Sequence, residues 1–170
     1  MNLGARRITN DALAGHFEEM GLDEVGVFRA SGNVVFAAPR EAAGKLTKRI
    51  EEGLAGALGY KVMVFLRTAG EVGEIAAAEP FPEELVNASE GKLQVSVLAG
   101  RPSRADRETV LSLASDEDRL AFGERELFWL PSGGLLDSDL DLKAVDSILG
   151  ASTRRTKGTI DLIAARYFAG

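Results

Sequence analysis

The chain has 170 residues, 45% of them apolar and 27% charged, enough to give one domain or two small subdomains a buried core and to argue against disorder. It has no cysteine, which excludes disulfides, thiolate metal sites and cysteine nucleophiles. The net charge of -6 opposes nucleic acid and anionic membranes as bulk partners and leaves only a local basic patch to attract them.

The first residues, Met1 to Arg7, lack the apolar run of a signal peptide. No apolar stretch approaches the roughly 20 residues that span a bilayer. A cytoplasmic protein without membrane contact is the expectation. Thr9 is placed to cap a helix whose Leu13, Phe17 and Met20 share one face, and Gly21 ends it. Val25 and Val27, then Val34, Val35 and Phe36, read as two strands joined by Ser31-Gly32-Asn33, residue types that tolerate a tight hairpin.

Pro39 ends the second strand, and residues 41–58 read as a helix with Leu46, Ile50 and Leu54 inward. The Val- and Phe-rich run 61–66 reads as a strand buried on both faces. Thr68 and Glu71 have capping-box spacing and open a helix that Pro80-Phe81-Pro82 breaks. Leu93, Val95 and Val97 alternate with Gln94 and Ser96, the pattern of a half-buried strand. Ser103 caps a helix carrying Val110, Leu111 and Leu113. Strands follow at 119–122 and 126–130, a helix at 140–149, and a last helix at 156–168.

This order implies an α+β protein of two β-α-β-β-α subdomains, residues 1–80 and 81–170. The first has the order of a ferredoxin-like unit whose first strand is missing or supplied from elsewhere.

Ser31-Gly32-Asn33-Val34-Val35-Phe36 resembles the Ser-Gly-Asn-Val-Val-Phe hairpin of a bacterial group called domain of unknown function 1697. Asn2-Leu3-Gly4 resembles the end of that family's opening loop. Pro80-Phe81-Pro82 resembles its Asn-Pro-Phe segment, and Ser152-Thr153-Arg154 its Thr-Thr-Arg-Asn motif before the last helix. The resemblance runs along the whole chain and implies the family's fold, without an activity to carry over. The family's opening strand and the Arg-Gly of its loop have no counterpart here. A late start or a truncation is expected, with a swapped strand or a homodimer contact as the other ways to fill the gap. Arg155 replaces the family's Asn and Thr156 an aromatic residue.

The candidate ligand-binding residues are Asn2, Ser31, Asn33, Thr153, Arg154 and Arg155. In the hairpin, Ser31 and Asn33 offer a hydroxyl and an amide beside Gly32, although turn formation alone accounts for these residue types. Thr153-Arg154-Arg155-Thr156-Lys157 reads as the start of the last helix, where free amides and basic side chains suit an anion. The alternative is a solvated basic helix start. Asp137-Ser138-Asp139 imitates a calcium loop, but Leu142 and Ile148 occupy its Gly and Glu positions, so capping by Asp139 is expected. His16 is the only histidine, so a histidine-rich metal site is excluded; Trp129 reads as core.

These residues point to a binding or interaction protein for an anionic or nucleotide-like small molecule, with no cofactor or metal named. Two alternatives stand beside it: an enzyme built from dispersed carboxylates and hydroxyls, and a weak single-stranded nucleic-acid binder, which the acidic balance opposes.

Overall fold

In the computed structural model of the chain, residues 2–3, 6–29, 32–37 and 39–168 are described, those up to residue 7 by their backbone alone. The protein is α+β, and it divides into two compact units, Met1–Leu66 and Arg67–Gly170. The division falls at Leu66, before the expected boundary at residue 80. The reason is local: Arg67 donates to Glu126 and Glu71 accepts from Arg125, so this stretch is bonded into the second unit.

In the first unit, β1 (Asn2–Leu3) pairs antiparallel with β2 (Arg6–Arg7). Helix α1 (Asn10–Glu19) is capped by Thr9, whose hydroxyl accepts from Ala12 N at 3.1 Å. Strands β3 (Asp23–Phe28) and β4 (Asn33–Ala37) pair antiparallel, with a bulge between Asp23 and Gly26. Gly32, with φ 74°, supplies the left-handed turn between them. Helix α2 (Ala43–Leu58) stops at Gly59. Its Leu46, Ile50 and Leu54 recur every four residues and pack with Ile8, Leu13, Phe17 and Leu22 into one core.

The described strands of this unit form two separate pairs, so the expected ferredoxin-like sheet is not among them. Residues 61–66, expected as a strand, carry no strand ladder among the described residues. Val62, Val64 and Leu66 pack on the core instead, and Val64 N donates to Glu51 Oε1 on α2 at 2.9 Å. A helix carboxylate takes the amide that a neighbouring strand would have taken.

The second unit begins with α3 (Ala69–Ala77), where Thr68 and Glu71 form the expected capping box. Helix α4 (Glu83–Ala88) follows Pro82 and is not among the expected helices, although Glu83 and Glu84 suit a first helical turn. Then come β5 (Gln94–Leu98), α5 (Arg104–Leu111), β6 (Asp118–Phe122), β7 (Glu126–Pro131), α6 (Leu142–Leu149), β8 (Ser152–Thr156) and α7 (Lys157–Tyr167).

The four strands form one antiparallel sheet in the order β6-β7-β5-β8. Registered neighbours share a face, so Leu120, Trp129, Leu127, Ser96 and Arg154 lie on one side. On that side Leu120, Leu127 and Trp129 pack with Val110 of α5 and Val145 of α6. Val95, Val97, Phe128 and Leu130 are buried on the other.

Strand β5 is therefore buried along its whole length, not half-buried as its alternation implied. Its polar residues are satisfied locally: Gln94 Nε2 donates to Gly91 O at 2.8 Å. Asp141 rather than Asp139 caps α6, accepting from Ala144 N at 2.9 Å. Among the described residues, no helix is long and apolar enough to cross a membrane.

Candidate functional site

The expected anion site at the start of the last helix does not form as drawn. Ser152 to Thr156 are a strand, and α7 begins only at Lys157. Thr156 caps it, its hydroxyl accepting from Thr159 N at 3.3 Å. Strand pairing wins because Thr-rich sequence suits a pleated backbone and β5 offers a free ladder.

The consequence is geometric. Successive side chains on a strand point to opposite faces, so Arg154 and Arg155 diverge instead of converging on one anion. Thr153 shares the face of Arg155. Arg155 Nη1 donates to Thr153 Oγ1 at 2.9 Å and to Arg154 O at 2.7 Å. Of the other candidates, Asn33 opens β4 opposite Phe28 in the first unit. Asn2 lies in β1 opposite Arg7, described by backbone only, and Ser31 lies outside the described residues.

Arg154 is the member with a distinctive environment. Its guanidinium carbon sits 5.1 Å from the centroid of the Trp129 ring. Its Nε donates to Ser96 Oγ at 3.2 Å. Both partners are almost fully buried, Trp129 at 2% and Ser96 at 4% exposure. The indole is held in turn, since Trp129 Nε1 donates to Asp118 Oδ1 at 2.7 Å and Ser138 Oγ donates to the same oxygen at 2.7 Å. Ser138 is thus committed to Asp118, and the calcium-like stretch around it is structural.

Burial depresses the pKa of Arg154, and Asp146 on α6 opposes that shift by its charge. Asp146 nevertheless makes no ion pair with it within 4.0 Å among the described residues. The terminal nitrogens of Arg154 make none of the hydrogen bonds found among the described residues, and no fully buried side-chain nitrogen or oxygen there lacks a partner. The fork therefore reaches solvent at the rim of a buried aromatic platform.

Several other charged groups are already engaged. Burial depresses the pKa of Arg155 too, but its side chain is held on its own strand. Glu71 is held by Thr68 and Arg125. The open depression lined by Phe81, Ser115, Asp116 and Arg119 has its charges paired, since Arg119 binds both the carbonyl and the carboxylate of Asp116. His16 lies on α1 beside Glu19 at 3.4 Å. No group of three or more His, Asp or Glu residues among the described residues is arranged to hold a metal ion.

Arg154 stands out in the sequence as a basic residue, but its platform does not. Ser96 and Trp129 are dispersed along the chain, and the β5 ladders bring them beside Arg154, while Asp146 comes from α6.

No functionally curated protein matches the chain. Among solved structures, it is similar to the conserved bacterial protein SP0830 from Streptococcus pneumoniae, with a TM-score of 0.70 at 18% identity, over 97% of this chain and 92% of that one. That likeness concerns the fold. The model of the family described as "Protein of unknown function (DUF1697)" matches residues 1–128, and the chain belongs to that family.

Proposed function

We propose that the protein binds a small anionic ligand, a carboxylate or a phosphate, through the guanidinium fork of Arg154. The observation that carries this reading is a half-buried guanidinium fixed on Trp129 and Ser96 with its terminal nitrogens left to solvent. Partial desolvation of a cation is costly, and a neutral hydroxyl offsets little of it. A planar anion offsets more, because two parallel N–H···O bonds match the fork. Stacking on the indole fixes the fork beforehand, so less side-chain freedom is lost on binding. Trp129 is covered by Arg154 and almost wholly buried, which disfavours an aromatic base stacked on that ring. This support extends to the anionic group and not to a nucleobase.

The test is calorimetric titration with inorganic phosphate, acetate, citrate and a nucleoside monophosphate. Binding by wild type that is lost in Arg154→Met supports the reading, because methionine keeps apolar contact with the indole and removes the fork. Arg154→Lys should bind weakly, having charge without the fork. Equal binding by Arg154→Met, or no binding of any of the four by wild type, would reject it.

A further inference from the structure

Among the described residues, strand β8 is an edge strand, hydrogen-bonded within its sheet to β5 on one side only. The phase of its ladder is fixed at both ends. Lys157 N donates to Leu93 O at 2.8 Å, and Ala99 N donates to Ala151 O at 3.4 Å. Antiparallel pairing alternates, so Thr153 and Arg155 direct their backbone polar groups to β5. Ser152, Arg154 and Thr156 direct theirs away from it. Such a row of outward groups is a template for another strand, and natural proteins block it.

The block here is a side chain. Arg155 folds back so that Nη1 donates to the outward carbonyl of Arg154. Thr153 Oγ1 accepts from the same nitrogen and holds the side chain in that place. We propose that Arg155 guards the outer edge of β8 against antiparallel pairing with the β8 of a second copy of this chain.

A second copy is the fitting occupant because a two-fold axis through Arg154 is self-complementary. It sets Ser152 opposite Thr156, and Arg154 opposite its own counterpart, so all three outward residues pair at once. The central pair needs the Arg154 carbonyl that Arg155 occupies. The opposed Arg154 side chains add like-charge repulsion across the strands. Residues 152–156 otherwise favour pairing, with β-branched Thr153 and Thr156 and no proline.

The experiment is sedimentation velocity over a range of concentrations on wild type, Arg155→Lys and Arg155→Thr, with amide exchange read over residues 152–156. Tryptophan fluorescence reports folding of each variant. Arg155→Thr should self-associate more strongly than wild type by on the order of tenfold, the effect of one charge-assisted hydrogen bond. Amides of Ser152, Arg154 and Thr156 should gain protection as concentration rises. Arg155→Lys should resemble wild type. Adding Ser152→Pro to Arg155→Thr should abolish the new association, since proline there removes only an outward N–H. A folded Arg155→Thr with wild-type sedimentation would overturn the proposal. So would association that survives Ser152→Pro.

Discussion

Arg67 Nε donates to Glu126 Oε1 at 2.8 Å, with both side chains more than nine-tenths buried. The guanidinium also binds backbone, because Nη2 donates to the carbonyls of Leu98 and Arg125, each at 2.9 Å. Glu126 accepts from Arg125 N through its other oxygen at 3.0 Å. One ion pair therefore closes β5, β7 and the strand turn around the residue at which the second unit begins. Arg67→Met should cost about 3–5 kcal/mol, because it strands a buried carboxylate. Arg67→Met with Glu126→Leu should recover part of that loss. The recovery is incomplete because the Leu98 carbonyl and the Arg125 amide lose these partners, whereas the Arg125 carbonyl still accepts from Leu98 N. Urea unfolding followed by Trp129, the single tryptophan, checks the order of the three stabilities. A double variant less stable than Arg67→Met would contradict the account.

Glu71 gives the second unit an acid-sensitive joint. Burial pushes its carboxyl pKa up, but the Thr68 amide, the Arg125 guanidinium and the Thr68 hydroxyl together hold it below the usual range. A depressed folded pKa means that the unfolded chain binds the proton first. The stabilisation is then fully present above about pH 4.3, the ordinary Glu value, and is lost as pH falls from there towards the folded value. Glu71→Gln should be less stable than wild type at neutral pH, and the gap should close in acid. Denaturant midpoints between pH 3 and 7 test this; a gap that widens in acid would refute it.

Asp118 supports the tryptophan that carries Arg154. It is 3% exposed and accepts from both Trp129 Nε1 and Ser138 Oγ. Asp118→Ala leaves the indole N–H without its acceptor, at about 1–3 kcal/mol. Asp118→Asn keeps an oxygen in place and should cost less. The indole environment changes in the alanine variant, so its emission should shift, while Asp118→Asn should keep emission near wild type. Identical emission in all three proteins would show that the indole does not depend on this acceptor.

Local chemistry was legible in the sequence wherever one segment decided its own conformation. Thr9, Thr68 and Ser103 cap the helices they were expected to cap, and Trp129 lies in the core. Errors arose where a distant partner decided. Residues 152–156 carry two threonines suited to capping, yet the ladder to β5 recruits them as a strand and leaves only Thr156 as the cap. The run 61–66 has strand composition, but Glu51 and the core of the first unit claim its amide and side chains. Alternation along β5 implied one wet face, and the strands registered beside it bury both. The candidate site followed the same rule. Arg154 was visible as a basic residue, but its separation from Arg155 required the strand, and its seat on Trp129 required the sheet.

Asp146 offers the sharpest separation between a structural and a binding role for Arg154. Its charge raises the Arg154 pKa against the effect of burial, yet it forms no ion pair with the guanidinium within 4.0 Å among the described residues. A carboxylate at that range competes with an incoming anion by repulsion while helping to keep the guanidinium charged. Arg154 stays protonated at neutral pH in either case, because arginine in proteins does not give up its proton there. Removing the carboxylate therefore removes the repulsion and leaves the fork intact. Asp146→Asn should tighten phosphate binding by several-fold at low salt, and the gain should shrink as salt screens the interaction. Unfolding stability should change by less than about 1 kcal/mol, as for other weakly coupled, partly exposed charges. Titration calorimetry on Asp146→Asn at two ionic strengths decides the matter. Tighter binding that fades with salt places the anion beside Arg154. Weaker binding would mean that Asp146 orients the guanidinium, and an unchanged affinity would place the anion elsewhere.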